Sequence, residues 1–348
     1  MTLAREQGES FAAVGFLCSL MVVAIHCSGL AKVWLAGADG GISPWAAALQ
    51  FVGTETAARC AVPWFFLASG FFLVKHVGES DLGPWWRRTL ARRLLTLGVP
   101  YLGWNLVYYL FRLALGNYGF EPGPALRLLT GWDFGELACG QFWYVRAILL
   151  YAFCSPLFVV VLRPRRLGGV LLVALAAAWL AGFPTGVAFQ PLNWGYLFFF
   201  GADVYMGLHG MWTARAFVGI ASAGLFLLAA GGVVAVLLLR APMAFAGCQR
   251  LMILFGLAAL WLNRTAVRAL LLPFRRWWGL AFFVYAAHIL FTSLAYRVAV
   301  GALPPSVYET VGYVLKIAVG IGGSLALGAA LHRFAPRLLD ILCGGRSP

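Results

Sequence analysis

The chain has 348 residues, of which 62% are apolar and only 11% charged, with a mean hydropathy of +0.85. A soluble domain carries roughly 25% charged residues, so these values exclude an ordinary water-soluble enzyme, and they also exclude a disordered segment or a short disulfide-stapled module. The formal charge of +14 is not borne on a basic arm or a soluble basic face, which argues against a nucleic-acid partner and leaves an integral membrane protein.

Apolar runs of about twenty residues recur along the whole length, whereas a membrane β-barrel alternates over segments of about ten. The expectation is all-α: one polytopic membrane helix bundle over residues 1–348. The predicted spans are 11–31, 56–75, 94–115, 142–162, 167–187, 192–209, 216–239, 243–262, 278–299 and 307–332, ten in all. A short turn with Pro184, Gly186 and Pro191 separates the fifth from the sixth. The first run follows MTLAREQGES, too acidic and too short a lead for a signal peptide, and reads as a retained helix.

The positive-inside rule supports this count. With the N-terminus inside, Arg5, Lys75, Arg87, Arg88, Arg92, Arg93, Arg163, Arg165, Arg166, Arg215, Arg264, Arg268, Arg275, Arg276, Arg333, Arg337 and Arg346 share the cytoplasmic side, seventeen of the 26 basic residues. Both termini are then cytoplasmic. Residues 36–55 and 116–141 are expected as the larger outer loops.

An ionisable group within a span costs roughly 2.5–3.5 kcal/mol on insertion scales and calls for a partner or a cavity. His26 ends MVVAIH, towards the outer leaflet. Glu55 and Arg59, four apart, share a helical face; they form a structural pair, or else Arg59 lines one polar cavity with His26, Ser69 and unwound backbone near Pro63 and Gly70. Arg146 follows Trp143 and Tyr144 and reads either as a snorkelling belt residue or as part of a site. His288, inside FFVYAAHILF, is expected to bond another helix or to join a proton path. Lys316 and Asp203 face a cavity or snorkel, and His76, His209 and His332 fall at interfacial helix ends. Four arginines, Arg87, Arg88, Arg92 and Arg93, crowd an inner loop, where they signal topology and touch anionic lipid, or bind phosphates bidentately and stack on an adenine. The seven cysteines lack metal-ligand spacing and read as packers; with the histidines far apart, no metal site is expected.

In order, VVAIH, RCAVPWFFLASGFFL, RRLLTLGVPYLGWN, QFWYVRAILLYAFCSPLF, YLFFFGADVYMG, FFVYAAHILF and the tail ILCGGR resemble segments of the membrane-bound acyltransferase family 3. The resemblance implies a multi-pass protein of the bacterial cytoplasmic (inner) membrane. Its implied activity is transfer of an acyl group, often acetyl, from cytoplasmic acyl-CoA to a hydroxyl of an envelope glycan or related acceptor. It implies that His26 is catalytic, as general base or acyl carrier, with Arg59 and Arg146 as oxyanion-stabilising candidates. Glu55, Ser69, Trp143, Tyr144 and His288 are then substrate-binding candidates, and Arg87, Arg88, Arg92 and Arg93 are available to the donor. The chain departs from the family pattern at Gly15 and Ala12, where an Arg and an acidic residue are usual, and at Thr96, where a second Arg is often found. MVVAIHCSGL also resembles the membrane half of vancomycin-resistance membrane serine racemases, which implies the alternative of a non-catalytic transporter or sensor.

Overall fold

The computed structural model describes residues 3–74, 77, 81–116, 122–133, 135–182, 194–211, 216–304 and 307–346, and among these it is all-helical, without strands. The predicted Pro184–Pro191 turn, Lys75, His76 and Arg215 lie outside the described residues.

Helix α1 (Leu3–Cys27) is the axle of the bundle. Its apolar residues fall on two faces: Phe11, Val14, Cys18 and Val22 recur at helical spacing and enter the main core, while Ala13 and Phe16 pack on Trp278 and Val23 on Val284 and Tyr313. α2 (Leu30–Leu35) and α3 (Pro44–Thr54) follow within the segment expected to be a loop. Ser43 caps α3 by accepting from the Ala46 N–H at 3.2 Å, and Pro44 opens its first turn, where the missing N–H costs nothing. α3 buries Ala46, Ala47, Gln50 and Phe51, and that face holds it against the bundle.

A 3₁₀ turn over Ala57–Cys60 leads into α4 (Ala61–Val74). The chain is irregular at Glu55–Cys60, not at Pro63 and Gly70, which the helix accommodates. Pro63 sits in the first turn. Gly70 lets α4 approach α11 (Leu197–Leu208) so closely that a Cβ there would lie 2.5 Å from the Phe200 carbonyl oxygen.

α5 (Leu82–Arg93) passes through a π turn at Leu94–Gly98 into α6 (Val99–Ala114). α7 (Pro122–Thr130) occupies part of the second expected loop. α8 (Trp143–Phe153) and α9 (Ser155–Leu162), bent by 62°, fill the fourth predicted span. α10 (Arg165–Ala181), α12 (Ala216–Leu238), α13 (Pro242–Leu262), α14 (Arg264–Leu271), α15 (Ala281–Ala302), α16 (Tyr313–Phe334) and α17 (Pro336–Cys343) complete the chain.

Seven helical stretches among the described residues are long and apolar enough to cross a membrane, or eight if the bent pair is one span. The difference from ten lies at the fifth and sixth predicted spans. Their helices, α10 and α11, have 17 and 12 residues, against about 20 for a hydrocarbon core of ~30 Å. Large apolar side chains such as Val170, Val173, Ile220, Leu227 and Leu228 are exposed, a liability in water and a requirement against lipid tails.

The bundle has two chemically different ends. At one, Glu9 of α1 accepts from Arg275 at 2.8 Å and Arg268 at 3.3 Å, and Arg346 bonds the π turn. At the other, Asp39 pairs with Arg240, and Gln50 bonds Ser28 and Glu309.

Candidate active site

The helix α1 carries two cavities on its length. The larger, about 1050 Å³, is lined by His26, Ser28, Gln50, Arg112, Gln141, Thr292, Arg297, Glu309 and Lys316 among others. It is polar and open. The smaller, about 420 Å³, is lined by Gly8, Ala12, Gly15, Ser19, Ser69, Arg93, Tyr144, Tyr285 and Arg346, with aromatic walls including Phe11, Trp64 and Phe282. Gly15 and His26 are eleven residues apart, about 16 Å along a helix at ~1.5 Å per residue. α15 spans the same interval: Tyr285 borders the small chamber, Ile289 and Thr292 the large cavity.

His288 lies between these two positions on α15 and is wholly buried. Its Nε2 is 3.2 Å from Nδ1 of His26, across 262 residues of sequence, with ring centroids 5.0 Å apart. The surrounding carbonyls set the tautomers. His288 Nδ1 faces the Tyr285 carbonyl at 2.8 Å and the Val284 carbonyl at 3.2 Å. A carbonyl can only accept, so Nδ1 carries the proton and Nε2 carries a lone pair. His26 Nδ1 faces the Val22 carbonyl at 2.9 Å, so it too is protonated, and its N–H is shared between Val22 and the lone pair of His288. The remaining nitrogen of the exposed His26 ring, Nε2, is then the basic one. The pair is a base with a buried partner that fixes its tautomer, the logic of an oriented general base.

Around it, Gln141 and Tyr108 brace α15. Gln141 Nε2 donates to the Ala286 carbonyl at 2.9 Å and to Tyr108 Oη at 3.2 Å; Tyr108 also donates to Ala286 at 2.9 Å, and Tyr285 Oη to the Gln141 carbonyl at 2.5 Å. Lys316 donates to Tyr308 Oη at 3.1 Å and stands over the Tyr308 and Tyr296 rings at 4.9 and 5.9 Å. Glu309 in the same cavity accepts from Gln50 at 2.8 Å.

The other candidates distribute as follows. Arg59 forks onto Glu55, with Nε to Oε2 at 2.9 Å and Nη2 to Oε1 at 2.6 Å, and Gln249 adds a third donor to that carboxylate at 2.9 Å. Arg59 lines neither of these two cavities, and His26 and Ser69 border different ones. Arg146 donates to the carbonyls of Gly131 and Gly135 at 3.2 and 3.3 Å and holds that loop. Trp143 packs on Tyr196 and Phe66. Ser69 shares a hydrogen bond with Tyr144, and both border the small chamber. Of the four inner arginines, Arg87, Arg88 and Arg92 are exposed, while Arg93 turns into the small chamber and donates to the Ser69 carbonyl at 3.1 Å. Asp203 is buried against Gly70, and His209 bonds the Leu162 carbonyl at 3.1 Å.

Sequence reasoning missed Gln141, Tyr108 and the site position of Arg346. Tyr108, inside a predicted span, was a visible signal, whereas Gln141 falls at the end of an expected loop and sits in a 3₁₀ turn, Gly140–Phe142. Among the described residues no group of three or more His, Cys, Asp or Glu is placed to hold a metal.

The fold and site together define a membrane-embedded helical bundle with a histidine pair set between two cavities. The sequence profile of the acyltransferase domain of acyltransferase family 3 matches residues 15–333. The chain belongs to that family. No curated protein and no solved structure matches it.

Proposed function

We propose that the protein is a multi-pass enzyme of the bacterial cytoplasmic (inner) membrane that moves an acyl group, with acetyl the expected one, from cytoplasmic acyl-CoA to a hydroxyl of an envelope glycan or related acceptor. The observation that carries this reading is the His26–His288 pair, which leaves His26 Nε2 as a base bordering an open polar cavity.

In this reading the small chamber lies on the cytoplasmic side and takes the donor, with Arg93 offering a guanidinium to phosphate. The large cavity takes the acceptor. The acceptor O–H gives its proton to His26 Nε2 as its oxygen attacks the thioester carbonyl carbon. The C–S bond then breaks, and the departing thiolate takes the proton back from Nε2, leaving ester and free thiol. The imidazolium formed meanwhile is stabilised through Nδ1–H by Val22 and His288. Arg59, neutralised by Glu55, and Arg146, tied to loop carbonyls, serve here as braces.

The test is acyl transfer by the full chain in lipid nanodiscs, together with mass spectrometry of envelope glycans and lipids from cells with and without it. An added acyl mass on one component, lost with His26→Ala, is the expected result. Full activity of His26→Ala overturns the mechanism, and solute uptake into proteoliposomes without any acylated product overturns the function in favour of a transporter.

A further inference from the structure

The small chamber contains a cation that comes from outside the bundle's transmembrane helices. α17 docks on the bundle by burying Leu339, Leu342 and Cys343, and Trp104 Nε1 donates to the Leu342 carbonyl at 3.0 Å. The chain then turns through Gly344 and Gly345, at φ 64° and 72°, values that glycine adopts without steric cost. A Cβ at Gly344 would strike the Thr96 carbonyl. The turn delivers Arg346 onto that same carbonyl, with Nη2 donating at 2.6 Å and Nε donating to Cys343 at 3.0 Å. Thr96 is ready for it: four residues on stands Pro100, which has no N–H to return to the Thr96 carbonyl. The guanidinium also lies over Phe282 at 4.6 Å.

Arg346 and Arg93 both line the chamber and are near enough to repel one another. Their hydrogen bonds go to backbone carbonyls, which are neutral, and no Asp or Glu is among the described residues lining the chamber. Two like charges held together without a carboxylate are stabilised by an anion. Arg346 lies beyond the matched family region, which ends at residue 333. Within the bundle, Gly15 of α1 borders the chamber and Thr96 of the π turn holds Arg346.

We propose that the C-terminal tail is part of the donor site: Arg346 is the second guanidinium, beside Arg93, that binds a phosphate group of the acyl-CoA. This rests on the reading of the small chamber as the donor site. The tail thereby adds a second guanidinium to a chamber that α1 lines with Gly8, Ala12, Gly15 and Ser19. Space remains at Gly15, where a Cβ would meet nothing within 4 Å, so an arginine placed there can reach the same chamber.

The experiment measures binding of coenzyme A, and separately of inorganic pyrophosphate, to the full chain in nanodiscs. Wild type binds coenzyme A, with affinity falling as salt rises. Arg346→Ala and Arg346→Gln, the latter keeping a donor for Thr96, each lose roughly ten- to hundredfold, the range for a hydrogen bond to a charged group; Arg346→Lys loses less. Adding Gly15→Arg to Arg346→Ala restores affinity, which a merely structural role for the tail would not allow. If Arg346→Gln binds coenzyme A as wild type does, the tail proposal fails and the donor reading stands. If wild type binds neither coenzyme A nor pyrophosphate, the donor reading itself fails.

Discussion

The two cavities differ in size, wall chemistry and charge balance. The small chamber, about 420 Å³, is aromatic and holds Arg93 and Arg346 without a carboxylate among the described lining residues, whereas the large cavity, about 1050 Å³, mixes His26, Lys316, Arg112 and Arg297 with Glu309 and several amides and hydroxyls. A tight, aromatic, purely cationic chamber suits one ligand with a fixed anionic group. A wide, polar, mixed-charge cavity suits ligands rich in hydroxyls, and it discriminates less by shape. Under the proposed function, donor recognition belongs to one end of the bundle and acceptor recognition to the other, with the histidines at the boundary.

The sharpest test of that division is the boundary itself. His26→Ala is expected to lower transfer by about 10²- to 10⁴-fold, the usual contribution of a positioned acid or base, while coenzyme A still binds with wild-type affinity. Loss of binding together with turnover would merge the two ends into one site. The donor end is probed by Arg93→Ala. It should raise the donor KM about ten- to hundredfold and leave the acceptor KM unchanged, as read from initial rates with each substrate varied in turn.

His288 tests how the boundary works. Phenylalanine fills the space but offers His26 Nδ1–H no acceptor, so His288→Phe is expected to lower kcat by roughly tenfold or more with little change in either KM. His288→Gln, whose amide oxygen can accept the same proton, should retain more. Equal losses in the two variants, each checked for normal thermal unfolding, would reduce His288 to a packing residue.

What could be read from the chain without coordinates follows from the range of each interaction. Long apolar runs mark spanning helices because the bilayer acts on about twenty residues at once, and an ionisable group such as His26 stands out against them. α3 was hidden in an expected loop because its 11 residues, though apolar, are too few to cross a bilayer on their own, and its buried face, Ala46 to Phe51, is set by packing. α10 and α11 were given full spans because apolar composition does not tell where a helix stops. The partnership of His288 with His26 joins residues 262 apart, and no local pattern encodes it. Among four adjacent arginines only the register leading into the π turn selects Arg93. Arg346 depends on two left-handed glycines, on the Thr96 carbonyl of the π turn and on the Phe282 ring, so its role is set by three separated segments meeting.

The smallest expected effect falls at the acceptor end, at Lys316. Its ammonium is held by Tyr308 Oη and two tyrosine faces, while the nearby Glu309 is engaged by Gln50. The charge is therefore steadied by the tyrosines and attracted by Glu309, and it borders the space that a ligand of the large cavity enters. Because that cavity is open and contains Arg112 and Arg297 as well, removing one cation should matter modestly, about two- to fivefold in acceptor KM, the scale of a solvent-reached charge contact. Lys316→Met keeps the apolar stem against the tyrosines and removes only the charge. Under the two-ended reading it leaves untouched both the donor KM and the rate of acyl-CoA hydrolysis measured with no acceptor present. A donor KM that shifts with Lys316→Met would show that charge at the large cavity is felt in the small chamber. The ends would then be coupled through α1 and α15, and the division of labour drawn from their walls would have to be replaced by a single continuous passage.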